Sequence, residues 1–274
     1  MGTLVLVATP IGNLGDLPPR AVEALAGADV VCCEDTRRSG RLLQHAGVTA
    51  RRLRRVDDHT EHAATGEVLD VLNAGGTVAV VTDAGTPGIS DPGQRLVQAA
   101  IASGHLVTAV PGPAALVMAL VLSGLPTERF VFEGFIPRSG RARTDRLTEI
   151  AMEHRTVVLY EAPHRVTRTV IDLAEACGGT RRVALCRELT KLHEEVWRGT
   201  LDEAAVHLAA HEPIGEYVVV LDGAPLEEPP GDDDVTSLLR AALESGASKR
   251  DAAAQVAAST GRAKREVYAL ALTL

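Results

Sequence analysis

The amino-acid sequence predicts an α/β protein built from two α/β domains and a small helical tail. Three observations support this fold class. Short apolar runs alternate with segments of helical spacing through the first half of the chain, which is the rhythm of βαβ units. The run SGLP at residues 123–126 has the composition of a hinge, and the alternation starts again after it. A proline-rich acidic segment, residues 225–234, then precedes an alanine-rich C-terminal stretch.

The predicted first domain spans residues 1–122. Its apolar runs are rich in Val and Leu, as in strands of a parallel sheet that helices cover on both faces. The helical segments carry apolar residues at spacings of three and four. Strands are predicted at residues 3–8, 29–33, 77–82 and 106–110, and helices at 18–26, 61–74, 94–103 and 113–123.

The predicted second domain spans residues 127–224, and a small helical tail at residues 235–274 follows the acidic linker. The tail has the pattern of two or three short helices with loosely helix-turn-helix spacing. Because alanine-rich helical tails are common, this spacing leaves open whether the tail contacts nucleic acid. In the domain itself, strands are predicted at 129–135, 156–160, 182–186 and 216–222, and helices at 142–154 and 164–177.

The composition is that of an ordinary globular enzyme. The chain has 274 residues, of which 46% are hydrophobic and 23% charged. Its longest apolar run, residues 114–122, is far shorter than the ~20 residues that a membrane span requires. No secretory leader is recognised at the start of the sequence. We therefore expect a cytoplasmic protein with no membrane partner.

The four cysteines give no sign of a metal site. Cys32, Cys33, Cys177 and Cys186 form no C-x-x-C pair, and no histidine cluster with zinc spacing accompanies them. We expect buried, reduced thiols and no metal.

The arginines are unevenly distributed. The net charge of −8 argues against a nucleic-acid partner, but residues 37–55 contain seven arginines and no acidic residue. A second cluster comprises Arg138, Arg141, Arg143 and Arg146. Such patches bind polyanions even in an acidic protein. The alternative is that each patch is a solvated helix face, and the sequence does not separate the two.

Four segments that follow predicted strands are rich in glycine, proline and small polar residues. They are TPIGNL at residues 9–14, EDTR at 34–37, DAGTPGISDPG at 83–93 and PGPAA at 111–115. Ligands in open α/β sheets bind outside the carboxyl ends of the strands, where glycine allows close backbone approach. Together the four loops predict a preformed small-molecule site. Neither the P-loop motif nor the G-x-G-x-x-G dinucleotide fingerprint is present.

Several longer runs carry a specific resemblance. EDTRRSGRLL, DAGTPGISDPG and YEAPHR are the most distinctive, and they occur with VATPIGNLGDLPPRAVEAL, VPGPAALVMALVLSGL, FEGFIPR and LCRELTKLHEE. In kind and order these runs, from Leu4 to about residue 222, resemble the ribosomal RNA small subunit methyltransferase I family of the tetrapyrrole-methylase superfamily. In place of the family's H-N-E-like run, this chain has DHTE at residues 58–61. The tail is weakly matched.

The resemblance implies two α/β domains of the class III methyltransferase type, with S-adenosylmethionine in the cleft between them, and a homodimer. It also implies an enzyme that methylates the 2′-oxygen of a cytidine ribose in 16S rRNA of the small ribosomal subunit, near the decoding centre. On the same basis the cofactor would be contacted by Pro10, Asp83, Gly85, Thr86, Pro87, Ile89, Ala114, Ala115 and Glu161.

Methyl transfer to a ribose hydroxyl requires in-line alignment and a route for the hydroxyl proton. Glu34 and Asp35 suit this chemistry and equally suit caps of the helix that follows them. His164 likewise fits a helix start. We favour Arg187 and Lys191 as phosphate or ribose contacts, and the sequence does not identify the general base. The candidate catalytic residues are thus Glu34, Asp35, Arg37, His164, Arg187 and Lys191.

Two other functions remain open. A tetrapyrrole methyltransferase that alkylates a porphyrinoid ring carbon would share the fold, and an arginine-lined cleft suits its polycarboxylate substrate. The loops EDTR, DAGTP and YEAPHR favour the rRNA enzyme over it. An RNA-binding assembly factor without catalysis would use the arginine patches and the tail, but it would have no need of cofactor loops.

Overall fold

In the computed structural model, which describes residues 1–57, 60–225 and 230–274, the chain forms two compact units. The first unit, Met1–Ala224, holds two five-stranded sheets with helices around them. The second unit, Pro225–Leu274, is helical in its described residues. The predicted fold class, an α/β protein with two sheets and a helical tail, is confirmed.

The first sheet is parallel throughout. Its strands are β1 (Thr3–Val7), β2 (Val30–Cys33), β3 (Leu53–Arg55), β4 (Thr77–Val80) and β5 (Leu106–Val110), in the order β3-β2-β4-β1-β5. The helices are α1 (Pro19–Gly27), α2 (Thr36–His45), α3 (Glu61–Asn73), α4 (Gln94–Ala102) and α5 (Ala115–Ser123). Because the strands are parallel, their carboxyl ends and the loops that follow them share one edge.

The central strands β1, β2 and β4 are buried on both faces of the sheet, as their Val-rich sequences predict. Successive strand side chains alternate between the faces. Leu4 and Val78 join the core on the side of α3 and α4. Val5 and Ala79, one residue further along, join the core on the side of α1 and α2.

The second sheet is mixed. Its strands are β6 (Phe130–Phe135), β7 (Thr156–Glu161), β8 (Arg182–Arg187), β9 (Glu195–Thr200) and β10 (Tyr217–Leu221), in the order β6-β7-β10-β8-β9. β6 and β7 are parallel, and the other neighbouring strands are antiparallel. The accompanying helices are α6 (Gly140–Met152), α7 (Pro163–Cys177) and α8 (Leu201–Ala210).

Helix α5 follows the first sheet in sequence but packs on the second. Leu116 and Leu120 lie in one apolar cluster with Val158 of β7 and Val218 of β10. The helix ends at Gly124, whose φ of +75° suits glycine. The predicted domain boundary between residues 122 and 127 falls at this end of the helix and stays a prediction.

In its described residues, 225 and 230–274, the second unit contains three helices, α9 (Asp232–Glu244), α10 (Lys249–Thr260) and α11 (Lys264–Thr273). Val235, Leu239 and Val267 are fully buried in a small core of their own. Gly261, with a φ of +70°, forms the turn between α10 and α11. In the described part of the chain, no helix has the length and apolar character needed to cross a membrane.

Four elements, α2, β3, β9 and α8, are not predicted by the apolar periodicity. Helix α2 is implied only by the capping interpretation of Glu34 and Asp35. β3 and β9 are edge strands, and their exposed positions carry charged side chains that break the strand pattern, such as Arg55 and Glu195. α8 does have a signal in the sequence. Thr200 and Glu203 form a capping box at its start, and T-x-x-E is the motif typical of that cap.

Candidate functional site

A cavity of about 350 Å³ lies at the carboxyl edge of the first sheet and is closed by the second sheet. The loops after β1, β4 and β5 form one wall, and the ends of β7, β8 and β10 form the other. Its volume falls within the ~300–1,000 Å³ of small-molecule sites. The lining residues include Ile11, Gly85, Thr86, Ile89, Ala114 and Ala115 from the first half, and Tyr160, Glu161, Cys186, Leu189, Lys191 and Tyr217 from the second.

The loop after β4, residues 83–93, is anchored at both ends. The backbone N–H of Thr9 donates to the carbonyl of Gly85 at 2.8 Å, and the N–H of Gly85 donates to the carbonyl of Thr9 at 3.1 Å. At the far end, the buried carboxylate of Glu61 accepts the N–H of Gly93 at 2.9 Å. The loop therefore has its shape before any ligand arrives.

Gly85 is a position in this loop where the backbone favours glycine. Its φ is +86°, a conformation that side chains with a branched Cβ avoid. A Cβ there would lie 3.4 Å from Cγ2 of Ile11 and 3.7 Å from the carbonyl oxygen of Pro113. The hydroxyl of Thr86 donates to the same Pro113 carbonyl at 3.2 Å. The loops after β1, β4 and β5 thus meet at Gly85.

Glu161 ends β7 and presents a buried carboxylate to the cavity. Its Oε2 accepts the hydroxyl of Thr169 at 2.7 Å, and its Oε1 accepts the N–H of Ala162 at 2.9 Å. Nε of Arg165 lies 3.2 Å from Oε1. A buried carboxylate is stable only with such partners, and these three fix its orientation.

Arg143 supports this arrangement from inside the protein. Its side chain, only 5% exposed, forms an ion pair with Asp172 at 2.7 Å. Its guanidinium also donates to the Thr169 hydroxyl at 3.1 Å, which in turn binds Glu161. The sequence-based grouping of Arg143 with three neighbouring arginines as a polyanion patch is therefore wrong for this residue, since an amphipathic helix turns it toward the core.

Lys191 brings a positive charge to the cavity. Its Nζ donates to Glu188 at 2.7 Å and to Glu216 at 2.9 Å. Partial burial disfavours the charged form, but these hydrogen bonds outweigh it, and the pKa of Lys191 is raised above its usual value. Lys191 is therefore protonated at neutral pH, so it cannot serve as a general base.

The segment that carries Lys191 is strained. Glu188 and Thr190 have φ angles of +52° and +66°, although neither is glycine. Such strain persists only where the surroundings impose it, and it concentrates at functional sites. The loop after β1 packs closely here, because a Cβ at Gly12 would overlap the side chain of Lys191.

Comparison with known proteins identifies the site's family. Residues 3–205 match the family model of Tetrapyrrole (Corrin/Porphyrin) Methylases, and residues 229–274 match that of the RsmI C-terminal HTH domain. A Synechocystis protein named ribosomal RNA small subunit methyltransferase I is 46% identical over 276 residues, which cover 100% of this chain and 99% of that protein. The chain belongs to the ribosomal RNA small subunit methyltransferase I family.

Further members of this family give the same result. A protein of that name from Mycobacterium tuberculosis is 46% identical over 272 residues, covering 97% of this chain and 93% of the relative. One from Halalkalibacterium halodurans is 42% identical over 273 residues, which cover 97% of this chain and 93% of the relative. The family predicted from the EDTR, DAGTPGISDPG and YEAPHR runs is confirmed.

Solved structures show that the fold is that of class III methyltransferases. The methyltransferase CobJ has a TM-score of 0.62 at 20% identity, covering 82% of this chain and 95% of that one. Uroporphyrin-III-C-methyltransferase from Thermus thermophilus has a TM-score of 0.57 at 22% identity, and the match covers 80% of this chain and 94% of that one. At these identities the likeness shows the fold alone. Family and fold together make the chain a methyltransferase.

The methyltransferase fold brings together only part of the predicted site. Gly85, Thr86, Ile89, Ala114, Ala115, Glu161 and Lys191 line the cavity. Pro10 and Asp83 line a second, neighbouring cavity of about 260 Å³. Pro87, Glu34, Arg37, His164 and Arg187 line neither of these two, nor does Asp35. In the DHTE run that departs from the family pattern, residues 58 and 59 lie outside the described residues.

Structural partners also engage Asp35, Arg37 and Arg187, which are predicted catalytic residues that line neither cavity. Asp35 is the N-cap of α2 and accepts the N–H of Arg37 at 2.8 Å. Hydrogen bonds from the Arg37 side chain and N–H lower the pKa of the Asp35 carboxyl. Arg187 forms an ion pair with Glu195 on the neighbouring strand at 2.8 Å. The first contact shows that Asp35 caps α2, as the capping alternative predicted. The catalytic roles of these residues stay predictions.

Apolar and aromatic members of the methyltransferase cavity were missed in the sequence. Tyr160 immediately precedes Glu161 in the YEAPHR run, and its hydroxyl accepts the N–H of Leu116 at 3.2 Å. Its ring makes an edge contact with Phe135, with centroids 5.7 Å apart. Since the chain has only 3% aromatic residues, a tyrosine beside a motif carboxylate is a signal that could have been used. Tyr217 has no such motif.

Proposed function

We propose that this enzyme transfers a methyl group from S-adenosylmethionine to the 2′-hydroxyl of a cytidine in 16S rRNA of the small ribosomal subunit, near the decoding centre. The observation that carries the proposal is the match along nearly the whole chain to relatives named ribosomal RNA small subunit methyltransferase I. The tetrapyrrole alternative rests on solved structures at 20–22% identity, which share only the fold.

The residues of the larger cavity fit S-adenosylmethionine. Apolar side chains such as Ile11 and Leu189 suit the adenine, and the small Ala114 and Ala115 leave room beside them. Glycine at position 85 lets the backbone approach the ligand, and its φ of +86° disfavours a larger residue there. Glu161 provides an oriented carboxylate for polar groups of the donor. When bound, S-adenosylmethionine supplies a methyl group activated by its positively charged sulfur.

The chain's own residues favour a hydroxyl acceptor. Lys191 holds a positive charge in the cavity, where a cation lowers the energy of a developing alkoxide. Methylation of a cytosine carbon would normally require a thiolate nucleophile. Cys186 lines the cavity, but burial raises the pKa of its thiol to about 11, so it is neutral near pH 7. The general base is not assigned.

Transfer of a labelled methyl group tests this function against the tetrapyrrole alternative. Small ribosomal subunits from a strain that lacks the enzyme, and a porphyrinoid polycarboxylate, are incubated with the protein and labelled S-adenosylmethionine. Label is expected in the small-subunit rRNA and not in the tetrapyrrole. Label in the tetrapyrrole alone would support the alternative.

The proposal includes a homodimer acting in the cytoplasm, where ribosomal RNA is found. Helix α5 exposes Val117, Met118 and Val121, the last by 58%. Exposed apolar patches on a folded chain mark interaction surfaces. β5 is also an edge strand with one unpaired side, and edges of this kind are usually covered.

Val121→Glu is expected to convert the dimer into a monomer, because it places a charge at the centre of the apolar surface of α5. Sedimentation equilibrium should show the mass falling from that of two chains to that of one. The matched control is Val206→Glu on α8, where the native side chain is 71% exposed, and it should stay dimeric. A wild-type protein with the mass of one chain would refute the dimer.

A further inference from the structure

The second cavity, of about 260 Å³, adjoins the one assigned to the methyl donor. Thr9 lines the second cavity and Gly85 lines the first. These two residues exchange backbone hydrogen bonds at 2.8 and 3.1 Å, so a single backbone pairing separates the two spaces. The loop after β4 passes from Asp83 in the second cavity to Gly85 in the first.

The walls of the second cavity combine an apolar side with charged groups. Pro10 and Leu14 provide the apolar side. Arg38 and Arg41 lie one turn apart on α2 and also line it. The guanidinium of Arg38 lies 3.3 Å from the carboxylate of Asp83. Arg41 is exposed and has no ion-pair partner among the described residues.

Thr82 contributes a buried hydroxyl that no described residue binds. The residue is only 3% exposed, and its hydroxyl has no hydrogen-bond partner in the described part of the chain. A buried hydroxyl without a partner costs stability, and such groups in native proteins call for an explanation. Because Thr82 lines the cavity, a ligand bound there can supply a partner for this hydroxyl.

We infer that the second cavity holds the acceptor nucleotide of the RNA. The inference rests on the proposed function and names where its substrate binds. Methyl transfer brings the reacting atoms to within ~3–3.5 Å, so the acceptor must bind beside the donor. Enzymes that act on a base take that nucleotide out of the stack into a pocket, and we extend this binding mode to the nucleotide whose ribose is methylated here.

The chemistry of the walls matches the parts of a nucleotide. Pro10 and Leu14 offer a surface for the face of the base, and Arg41 offers an unpaired cation for a backbone phosphate. The carboxylate of Asp83 can accept the exocyclic amine of cytosine, which is the pairing typical of acidic side chains with this base. The Thr82 hydroxyl supplies one further donor or acceptor.

Thr82→Val separates a binding role from a structural one. Valine has nearly the same shape, and it removes a hydroxyl that has no partner among the described residues, so the melting temperature should not fall. Binding to small subunits, or to the rRNA extracted from them, should weaken about fivefold, because one ligand hydrogen bond is lost. The Kd for S-adenosylmethionine should stay unchanged. If the Thr82 hydroxyl does not contact the RNA, the Kd of the Thr82→Val variant for RNA will equal that of the wild type.

Arg41→Gln tests the phosphate contact. The Kd for the same RNA should rise, and the slope of log affinity against log salt should shrink by about 0.7–0.9. Arg129→Gln is the matched control, since Arg129 is also exposed, lacks an ion pair among the described residues, and precedes β6 at the opposite end of the second sheet. It should bind RNA like the wild type.

The outcomes distinguish this inference from the proposed function. If the wild type neither binds nor methylates small-subunit RNA, the proposed function is wrong, and the inference falls with it. If the wild type binds and methylates the RNA but Thr82→Val and Arg41→Gln do so with unchanged Kd and salt slope, the function stands and the inference is overturned. Weaker RNA binding in both variants, with unchanged S-adenosylmethionine affinity, supports it.

Discussion

Gly85→Val is expected to abolish binding of S-adenosylmethionine. The φ of +86° at this residue is unfavourable for a β-branched side chain, and strain of this kind costs ~1–3 kcal/mol. The added Cβ would already contact Ile11 and Pro113, so the methyl groups beyond it must enter the cavity or displace the loop. Isothermal calorimetry should show the affinity reduced by roughly a hundredfold or more, a loss of about 2.7 kcal/mol, because the valine methyl groups take up space that the ligand needs.

A second glycine provides the control for backbone strain. Gly104 has a φ of +75°, and a Cβ added to it would have no described atom within 4 Å. It follows α4, at the end of the first sheet away from the cavity. Gly104→Val should lower the melting temperature in a similar way and leave the affinity for S-adenosylmethionine unchanged. Wild-type affinity in a folded Gly85→Val protein would refute the assignment of this cavity to the donor.

Lys191→Met should lower kcat by roughly a hundredfold to a thousandfold, the effect of removing a group that stabilises negative charge in a transition state. The Kd for S-adenosylmethionine should change little. Lys191→Arg, which keeps the positive charge, should recover part of the rate. Single-turnover methylation of small subunits measures the rate of methyl transfer in the Met and Arg variants. Equal loss in the Met and Arg variants would indicate that Lys191 only supports the strained segment around Thr190.

The pH dependence offers an independent check on Lys191. Its hydrogen bonds to Glu188 and Glu216 outweigh burial and raise its pKa above the usual value for lysine, which is about 10.4. A rate that needs the charged form should therefore not decline between about pH 7 and 9 through loss of this proton. A decline in that range that disappears in Lys191→Arg would contradict the assigned role.

The sequence predicts the first sheet better than the second. Strands such as β1 and β4 are buried on both faces, so their apolar runs stand out from the loops. β9 lies at an edge. Its exposed residues, Glu195 and Arg198, are charged and its other residues are only half-buried, so it contains no apolar run that predicts a strand. Because parallel strands end at one edge, the apolar runs alone also place the loops at residues 9–14, 83–93 and 111–115 together.

The partners of the site residues could not be predicted in the same way. Lys191 is held by Glu216, which is 25 positions away in sequence and reaches it through strand pairing. Arg143 looked like part of a surface patch because its neighbours are arginines, yet helix α6 turns it toward Asp172 and the core. Asp83 and Gly85 are only two residues apart in sequence. They line different cavities because the backbone pairing of Gly85 with Thr9 lies between the two spaces.

The reaction that we propose is methylation of a ribose oxygen in small-subunit rRNA. Its most direct test is to label small subunits from a strain lacking the enzyme, digest the rRNA, and identify the labelled nucleotide. A single labelled cytidine carrying the methyl on its 2′-oxygen is expected, with no transfer to an RNA that has 2′-deoxycytidine at that position. Label on the base, or methylation of the deoxy substrate, would contradict it.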